Sequence, residues 1–350
     1  MFLISDEQIR SSVTVKDCLE VVELAFQDLA AGKAVDSPRE RIFVETPKDA
    51  GVYALSRLCG AVPRFGVAAL RITSHPRGSS RDPLDNHFIL LFNVENGRLL
   101  ALLQGFTLSG LRLGATTALV AKSLAPKGEL EVGVFGSGKQ ARANLEGLAA
   151  VIKIHQVKVY SPNPSHCSLF CEEMGEKLGL TVIAHKESSG VVQGSDIVLG
   201  ASNAWEPVYD GRLIKDGALV ISLRNSDHNK KPREFDETTI KRASTIVVCS
   251  KEQIHTDQQG ELLEPIEKGL TSWEQIYELT DLVTGKVPSR RSPEEIIFYH
   301  SNTGNGIQFA AVAFKALQIV KDSGAFRELP DEWFFTDLTS WWERGFHPTP

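Results

Sequence analysis

Two glycines and an alanine, Gly136, Gly138 and Ala141, follow the apolar run Val132-Gly133-Val134-Phe135. Their G-x-G-x-x-A spacing suits a pyrophosphate. Gly136 permits the tight turn, Gly138 leaves bare backbone for a phosphate to approach, and Ala141 lets the next helix pack on the strand. The start of that helix adds free N–H groups and the positive end of a dipole. Ser137, Lys139 and Gln140 share the turn and become candidate cofactor contacts. Such a motif also occurs as an ordinary glycine turn, so its surroundings decide. A second apolar run, Val157-Lys158-Val159-Tyr160, comes about 20 residues later, where a ribose-binding position is due. Asp196-Ile197-Val198-Leu199 and Ala218-Leu219-Val220-Ile221 read as further parallel strands. The whole predicts a dinucleotide site.

The residues after the second strand address cofactor choice. An acid there would bond the ribose 2′-OH and repel a 2′-phosphate. The sequence instead reads Ser161-Pro162-Asn163-Pro164-Ser165-His166. Ser161, Asn163 and Ser165 can donate to a phosphate and His166 can add charge, but no arginine clamps it. The expectation is a modest preference for NADP(H) over NAD(H); the alternative is a proline turn that admits both. Other chemistries find little footing. His75 and His87 lack a second ligand pair at metal spacing, so no metal is expected. Ser222 and Ser226 lack a G-x-S-x-G elbow.

These groups need elements to position them. Thr14-Val15-Lys16-Asp17 reads as a capping box, followed by Leu19, Val22, Phe26 and Leu29 at helical spacing until Gly32. Residues 40–104 look strand-rich: 41–44, 51–55, 67–72, 87–92 and 99–103, the last two joined by the hairpin signal Glu95-Asn96-Gly97. Residues 74–86 read as a polar loop. A small-residue helix spans about 109–124, and Pro126-Lys127-Gly128 forms a junction. From 129 to about 300 strand and helix alternate, the mark of a parallel α/β sheet. A second small-residue helix, 304–320, suggests a return to the first domain. The aromatic residues of 326–346 (Phe326, Trp333, Phe334, Phe335, Trp341, Trp342, Phe346) predict a packed tail.

The chain has 350 residues, enough for two domains. Its formal net charge of −6, without a basic block, argues against nucleic acid as a partner. No apolar run reaches the roughly 18–20 residues of a membrane span. The first residues lack the features of a signal peptide. The five cysteines are an odd, scattered set, read as reduced thiols, which makes the cytoplasm the default compartment.

Several segments together resemble the ornithine cyclodeaminase/mu-crystallin family. Leu108-Ser109-Gly110-Leu111-Arg112-Leu113-Gly114-Ala115-Thr116-Thr117-Ala118 is similar to its L-T-x-x-R-T-A-A-x-S-A helix, and Gly136-Ser137-Gly138-Lys139-Gln140-Ala141 to its G-A-G-x-Q-A. Ser195-Asp196-Ile197-Val198, Arg233-Glu234-Phe235-Asp236, Gly260-Glu261-Leu262 and Gly285-Lys286-Val287-Pro288 come next in the family's order. The resemblance covers roughly residues 1–320. It implies an α/β protein with a Rossmann dinucleotide-binding domain at 127–304. A discontinuous α+β substrate and dimerisation domain would combine 1–126 with 305–350. The site would lie between them, with Ala201 added to the cofactor contacts. A homodimer built through the first domain is expected, because the strand-rich segments 51–72 and 87–104 are too apolar to face water on both sides.

The resemblance also suggests roles. Arg41 matches an arginine that holds the substrate α-carboxylate, for which a guanidinium's parallel donors are suited; the alternative is a surface arginine, and Arg39 leaves the register open by two residues. Arg112 sits in an apolar helix, near substrate carboxylate and cofactor by resemblance; a structural ion pair is the alternative. The family's usual lysine after a Gly-Val pair is missing: Gly66-Val67 leads to Ala68 and Ala69, with Arg71 the nearest cation. Arg71 can bind or polarise, or simply be a paired strand residue, but hardly shuttles protons. Asp227 best matches the catalytic aspartate, with His228 and Arg224 as understudies and a turn-forming aspartate as the alternative.

The motifs and the resemblance together imply an NAD(P)-dependent oxidoreductase acting on an amino or imino acid, either an imine reductase or an amino-acid dehydrogenase. A cyclodeaminase releasing ammonia with tightly bound NAD is the second reading, weakened by the missing lysine. An NADP-linked ligand-binding protein of mu-crystallin type is the third.

Overall fold

A computed structural model describes residues 1–45, 51–77, 86–288, 290, 292–302, 304–324, 326–339 and 343. The chain opens with β1 (Phe2–Ile4), α1 (Asp6–Ser12), α2 (Val15–Ala30), β2 (Val35–Glu45), β3 (Val52–Val62), β4 (Val67–Arg77), β5 (His87–Asn93), β6 (Leu99–Gln104) and α3 (Phe106–Leu124). It continues through β7 (Glu129–Phe135), α4 (Lys139–Ala149), β8 (Lys153–Tyr160), α5 (Pro164–Leu178), β9 (Val182–Ala184), α6 (Ser188–Val192), β10 (Ile197–Gly200) and β11 (Leu219–Ser222). Then come α7 (Glu237–Arg242), β12 (Ala243–Val248), α8 (Lys251–Asp257), α9 (Gly260–Glu267), β13 (Ile276–Glu278), α10 (Leu279–Val283), β14 (Ile296–His300), α11 (Gly306–Asp322) and β15 (Arg327–Glu328).

The predicted capping box is present: Thr14 Oγ1 accepts the Asp17 N–H, and Asp17 accepts the Thr14 N–H. Among the described residues seven strands form one sheet in the order β15-β1-β6-β5-β4-β3-β2. Eight strands, all paired in parallel, form the other, in the order β13-β12-β14-β11-β10-β7-β8-β9. In the second sheet the order runs one way from β7 to β9 and the other way from β10 onward. The reversal between β7 and β10 is the topological switch point of a Rossmann-type fold, where ligands settle at the carboxyl ends of the strands.

Helix α3 is buried along almost its whole length and joins the two sheets. It can sit so close to α4 because its crossing residues are small. A Cβ on Gly114 would lie 2.2 Å from the Ala143 carbonyl oxygen, and one on Gly147 would lie 2.1 Å from that of Gly114. Helix α11 returns to the first sheet, packing on β3, β4 and α2. Strand parity does the rest. Along β2 the buried side holds Arg39 and Arg41, while Ile42 and Val44 face outward and are exposed.

Two expectations need correction. Residues 74–77 are not loop: β4 continues antiparallel to β3 as far as the Val52↔Arg77 pair. Pro76 is tolerated because β5 pairs with β4 no further than Thr73, so its missing N–H costs no ladder bond there. The rest of that predicted loop, 78–85, lies outside the described residues. The tail is also not uniformly packed. Phe326 meets Phe2 edge-on at 5.0 Å, but Trp333 is 68% exposed and Phe334 is exposed too. Trp341, Trp342 and Phe346 lie outside the described residues. Among the described residues no helix is long and apolar enough to cross a membrane.

Candidate active site

The glycine turn follows β7, at the switch point. Gly136 has a φ of +109°, and a Cβ there would lie 2.5 Å from the Ala201 carbonyl oxygen, so both strain and space require glycine. Its N–H donates to the Tyr160 carbonyl at 2.8 Å, and the Ala201 N–H to that of Phe135 at 2.9 Å. These bonds pin the turn between β8 and β10. Gly138 is the N-cap of α4 and has no side-chain cap; a Cβ built on it meets nothing within 4 Å. The open backbone faces a cleft of about 570 Å³.

Gly136, Ser137, Gly138, Lys139, Gln140, Ser161, Asn163, His166 and Ala201 all line that cleft. Ser137 Oγ donates to Ser161 Oγ at 3.0 Å, linking the first and second strand ends. Asn163 caps α5 by accepting the His166 N–H. Gln140 Oε1 is buried and has no hydrogen-bond partner among the described residues. An unfilled buried acceptor, an uncapped helix start and open space at Gly138 are the features a dinucleotide would satisfy. Lys139 turns toward the other sheet, its ammonium 3.3 Å from the Phe106 ring centroid and donating to the Phe106 carbonyl at 2.8 Å.

Glu234 braces the far wall. It accepts the Ser202 N–H at 2.6 Å and the Ser222 hydroxyl at 3.0 Å, tying the ends of β10 and β11 together. Burial raises its carboxyl above the ordinary range, against the pull of those bonds. Arg224 donates to the Ala204 carbonyl and lies by Trp205 on the same side.

The second half of the site is built of arginines. Arg41 on β2 forms an ion pair with Asp257 at the end of α8, and its Nε stands 3.8 Å from Asp227. The same helix grips the strand two residues earlier: Gln253 accepts the Arg39 N–H at 2.6 Å. Arg112 is buried on α3, its guanidinium 4.6 Å from the Phe309 ring centroid and donating to Gln308 at 2.7 Å. Gln308 in turn donates to Thr116 at 2.6 Å, so the arginine's nearest support is itself fixed. Burial pushes the Arg112 guanidinium down to about 10. Arg71 also lies by Phe309, its guanidinium 5.3 Å from the same ring centroid. Thus Arg41, Arg71 and Arg112 gather where α11, α3 and the inner face of the first sheet meet.

Asp227 is buried, with Oδ1 accepting the N–H groups of Asn229 and Lys230. It is therefore a turn former and also a neighbour of Arg41; the two readings coexist on its two oxygens. Glu261 holds the preceding residue, accepting the Ser226 N–H at 2.8 Å and the Ser226 hydroxyl, and it meets His300 Nε2 at 3.2 Å. Burial works to raise the Glu261 carboxyl, but His300 and Ser226 overcome it and hold it below the ordinary range. His228 bonds the Thr256 carbonyl. Among the described residues no group of three or more His, Cys, Asp or Glu is placed to hold a metal.

Sequence reasoning missed Asp257, Glu234, Glu261 as a brace, and Phe309. Gln308 had a readable signal: Asn305 and Gln308 form a capping box at the start of α11.

The model of the ornithine cyclodeaminase/mu-crystallin family matches residues 2–324. The chain belongs to that family. Within it, an iminosuccinate reductase from Paracoccus denitrificans is 28% identical over 337 residues, covering 94% of this chain and 99% of that one. The structure of Thermococcus litoralis Δ1-pyrroline-2-carboxylate reductase, solved with NADH and L-proline, superposes with a TM-score of 0.83 at 28% identity, over 94% of this chain and all of that one. An archaeal alanine dehydrogenase dimer with bound NAD shares the fold, with a TM-score of 0.82 at 24% identity, over 96% of this chain and 99% of that one.

Proposed function

We propose that this family member is an NAD(P)-dependent oxidoreductase of imino or amino acids, working as an imine reductase or amino-acid dehydrogenase. One observation carries the reading: the nucleotide cleft and the arginine cluster share their walls. Lys139 of the glycine turn bonds the first residue of α3, the helix that bears Arg112. The loop after β11 carries both Arg224, beside the cleft, and Asp227, beside Arg41. The Paracoccus and Thermococcus proteins, whose names describe imine reduction, support the same chemistry.

In this reading Arg41 and Arg112 hold the substrate α-carboxylate, each offering paired N–H donors. Asp227 holds a proton for the imino nitrogen, and Arg41 orients its carboxylate. Bound nicotinamide supplies the hydride that reduces the substrate α-carbon. The packed helices α3 and α11 exclude water from the reacting atoms. The family's usual lysine after the Gly-Val pair is missing, and the nearest cation, Arg71, is a guanidinium that keeps its proton. That favours reduction over the cyclodeaminase reading.

Finer features belong to the same proposal. Residues 1–126 with 305–350 would form the substrate and dimerisation domain, and 127–304 the nucleotide domain. NADP(H) would be modestly preferred over NAD(H), because Ser161, Asn163 and His166 line the ribose end of the cleft without an acid among them. A homodimer would cover the outer face of the first sheet, where Ile42, Val44 and Phe88 are exposed. The cytoplasm would be the compartment, in keeping with five free cysteines.

The test is consumption of reduced cofactor by pure protein, with NADH or NADPH and a panel of cyclic imines and 2-oxo acids with ammonia. Stoichiometric oxidation supports the reading. Ammonia release from a diamino acid without net cofactor turnover would replace it with the cyclodeaminase.

A further inference from the structure

We propose that the imino acid reduced here carries a second carboxylate, and that Arg39 and Arg71 receive it. The inference rests on the reductase reading and narrows its substrate to a short 2-imino dicarboxylate.

On the inner face of the first sheet, Arg41, Ser56, Thr73 and His87 form one cross-strand row. The β2–β3 register slips between Ser37 and Glu40, so Pro38 and Arg39 share the place opposite Leu58. Leu58 pairs onward with Arg71, and Arg71 with Ile89. Arg39 and Arg71 therefore flank Leu58 in a second row, two residues along the strands and about 7 Å from the first. Two residues apart on one strand, Arg39 and Arg41 take the same buried side by ordinary alternation, with Glu40 turned out.

Four guanidinium groups thus face one another across a small volume. Arg71 and Arg112 both lie by Phe309, while Arg41 reaches Asp227 and Asp257. Burial, and then the charges of Arg71, Arg41 and Arg112, hold the Arg39 guanidinium well below its ordinary range, with Asp257 pulling the other way. Like charges do not gather in this way for stability alone. A substrate with only an α-carboxylate would engage one row and leave the other facing an apolar or neutral side chain. A planar guanidinium at position 71 suits a carboxylate by its paired donors, better than a lysine's point charge would.

The reaction is unchanged in its balance. The imine carbon gains a hydride from the reduced nicotinamide, the imine nitrogen gains a proton from Asp227, and the products are the amine and oxidised cofactor. Both carboxylates pass through intact. The iminosuccinate reductase relative is named for a substrate of this class.

The experiment compares kcat/KM for oxaloacetate plus ammonia with that for pyruvate plus ammonia, using the reduced cofactor that binds more tightly. The expected preference for the dicarboxylate is about 100-fold or more. In Arg39→Gln and Arg71→Gln that ratio falls by at least about tenfold, chiefly through KM for the dicarboxylate. A second measurement needs no variant: with oxidised cofactor present, succinate should compete with substrate at least about tenfold more strongly than propionate does. Turnover of pyruvate and ammonia with no dicarboxylate preference, and equal inhibition by the two acids, would overturn this inference and leave the reductase reading standing. No cofactor consumption with either imine, nor with the cyclic imines, would overturn both.

Discussion

The two halves of the site are built in opposite ways. The nucleotide cleft is built from three short contiguous segments at neighbouring strand ends, with the turn Gly136 to Gln140 at its centre, held by the Gly136 bond to Tyr160 and the Ala201 bond to Phe135. It carries little charge and works through bare backbone and a helix start. The arginine cluster is assembled from β2, β4, α3, α8 and the loop after β11, with partners such as Arg41 and Asp257 standing 216 residues apart. It works through charge in a buried setting, where each group depends on its neighbours. Changes in the cleft should therefore act by shape and changes in the cluster by electrostatics.

The largest effect should come from Asp227→Asn. The amide keeps an acceptor for the Asn229 and Lys230 N–H groups but has no proton to give. We expect kcat to fall by about 100-fold or more, with cofactor affinity held, in steady-state kinetics and fluorescence titration. A variant with parental kcat would remove Asp227 from the chemistry and leave it a turn former. Next is Arg112→Ala, expected to lower kcat/KM by at least about tenfold through loss of a charge-assisted bond. Its circular dichroism should stay native, since Phe309 and Gln308 remain. Kinetics equal to the parent would show that the arginine is only structural.

Gly138→Val tests the opposite half. The added side chain meets no protein atom within 4 Å in the direction of its Cβ, so the fold should tolerate it while the phosphates do not. Cofactor Kd should rise by at least about tenfold, a cost of roughly 1.4 kcal/mol. Unchanged binding would mean that the pyrophosphate lies elsewhere.

The difference between the halves also explains what the sequence makes legible. The glycine turn can be read because its spacing, its strand and its helix are adjacent in the chain. The alternating strands and helices after residue 129, and the hairpin at Asn96-Gly97, are equally local. The cluster is readable only by resemblance. Nothing near Arg41 announces Asp257, and Arg39 is an ambiguity of register until α8 separates the two, with Asp257 paired to Arg41 and Gln253 accepting the Arg39 N–H. The loop expected at 74–86 misjudges Pro76, because a proline is acceptable once the neighbouring strand has ended. Aromatic content alone likewise overstates the packing of the tail, where Trp333 is largely exposed.

The smallest effect concerns the support of the cluster. Asp36 accepts the Ile307 N–H and the Asn305 amide, fastening β2 to the start of α11, and burial pushes its carboxyl up to about 6. The folded protein therefore binds this proton more tightly than the unfolded chain. Its contribution to stability is fully present below about pH 4 and is lost as pH rises from about 4 to about 6, by roughly 1–3 kcal/mol. Asp36→Asn should flatten that part of the profile in denaturant melts; an unaltered pH slope would contradict the assignment.

The central claim is that the cleft and the cluster act on one another's ligands, and isotope transfer tests it most directly. With reduced cofactor carrying deuterium at both C4 positions, and the imine of oxaloacetate or pyruvate, mass spectrometry of the amino-acid product should find one deuterium on its α-carbon. One cofactor should be oxidised for each product formed. Product without deuterium, or formed without net oxidation of cofactor, would contradict the account.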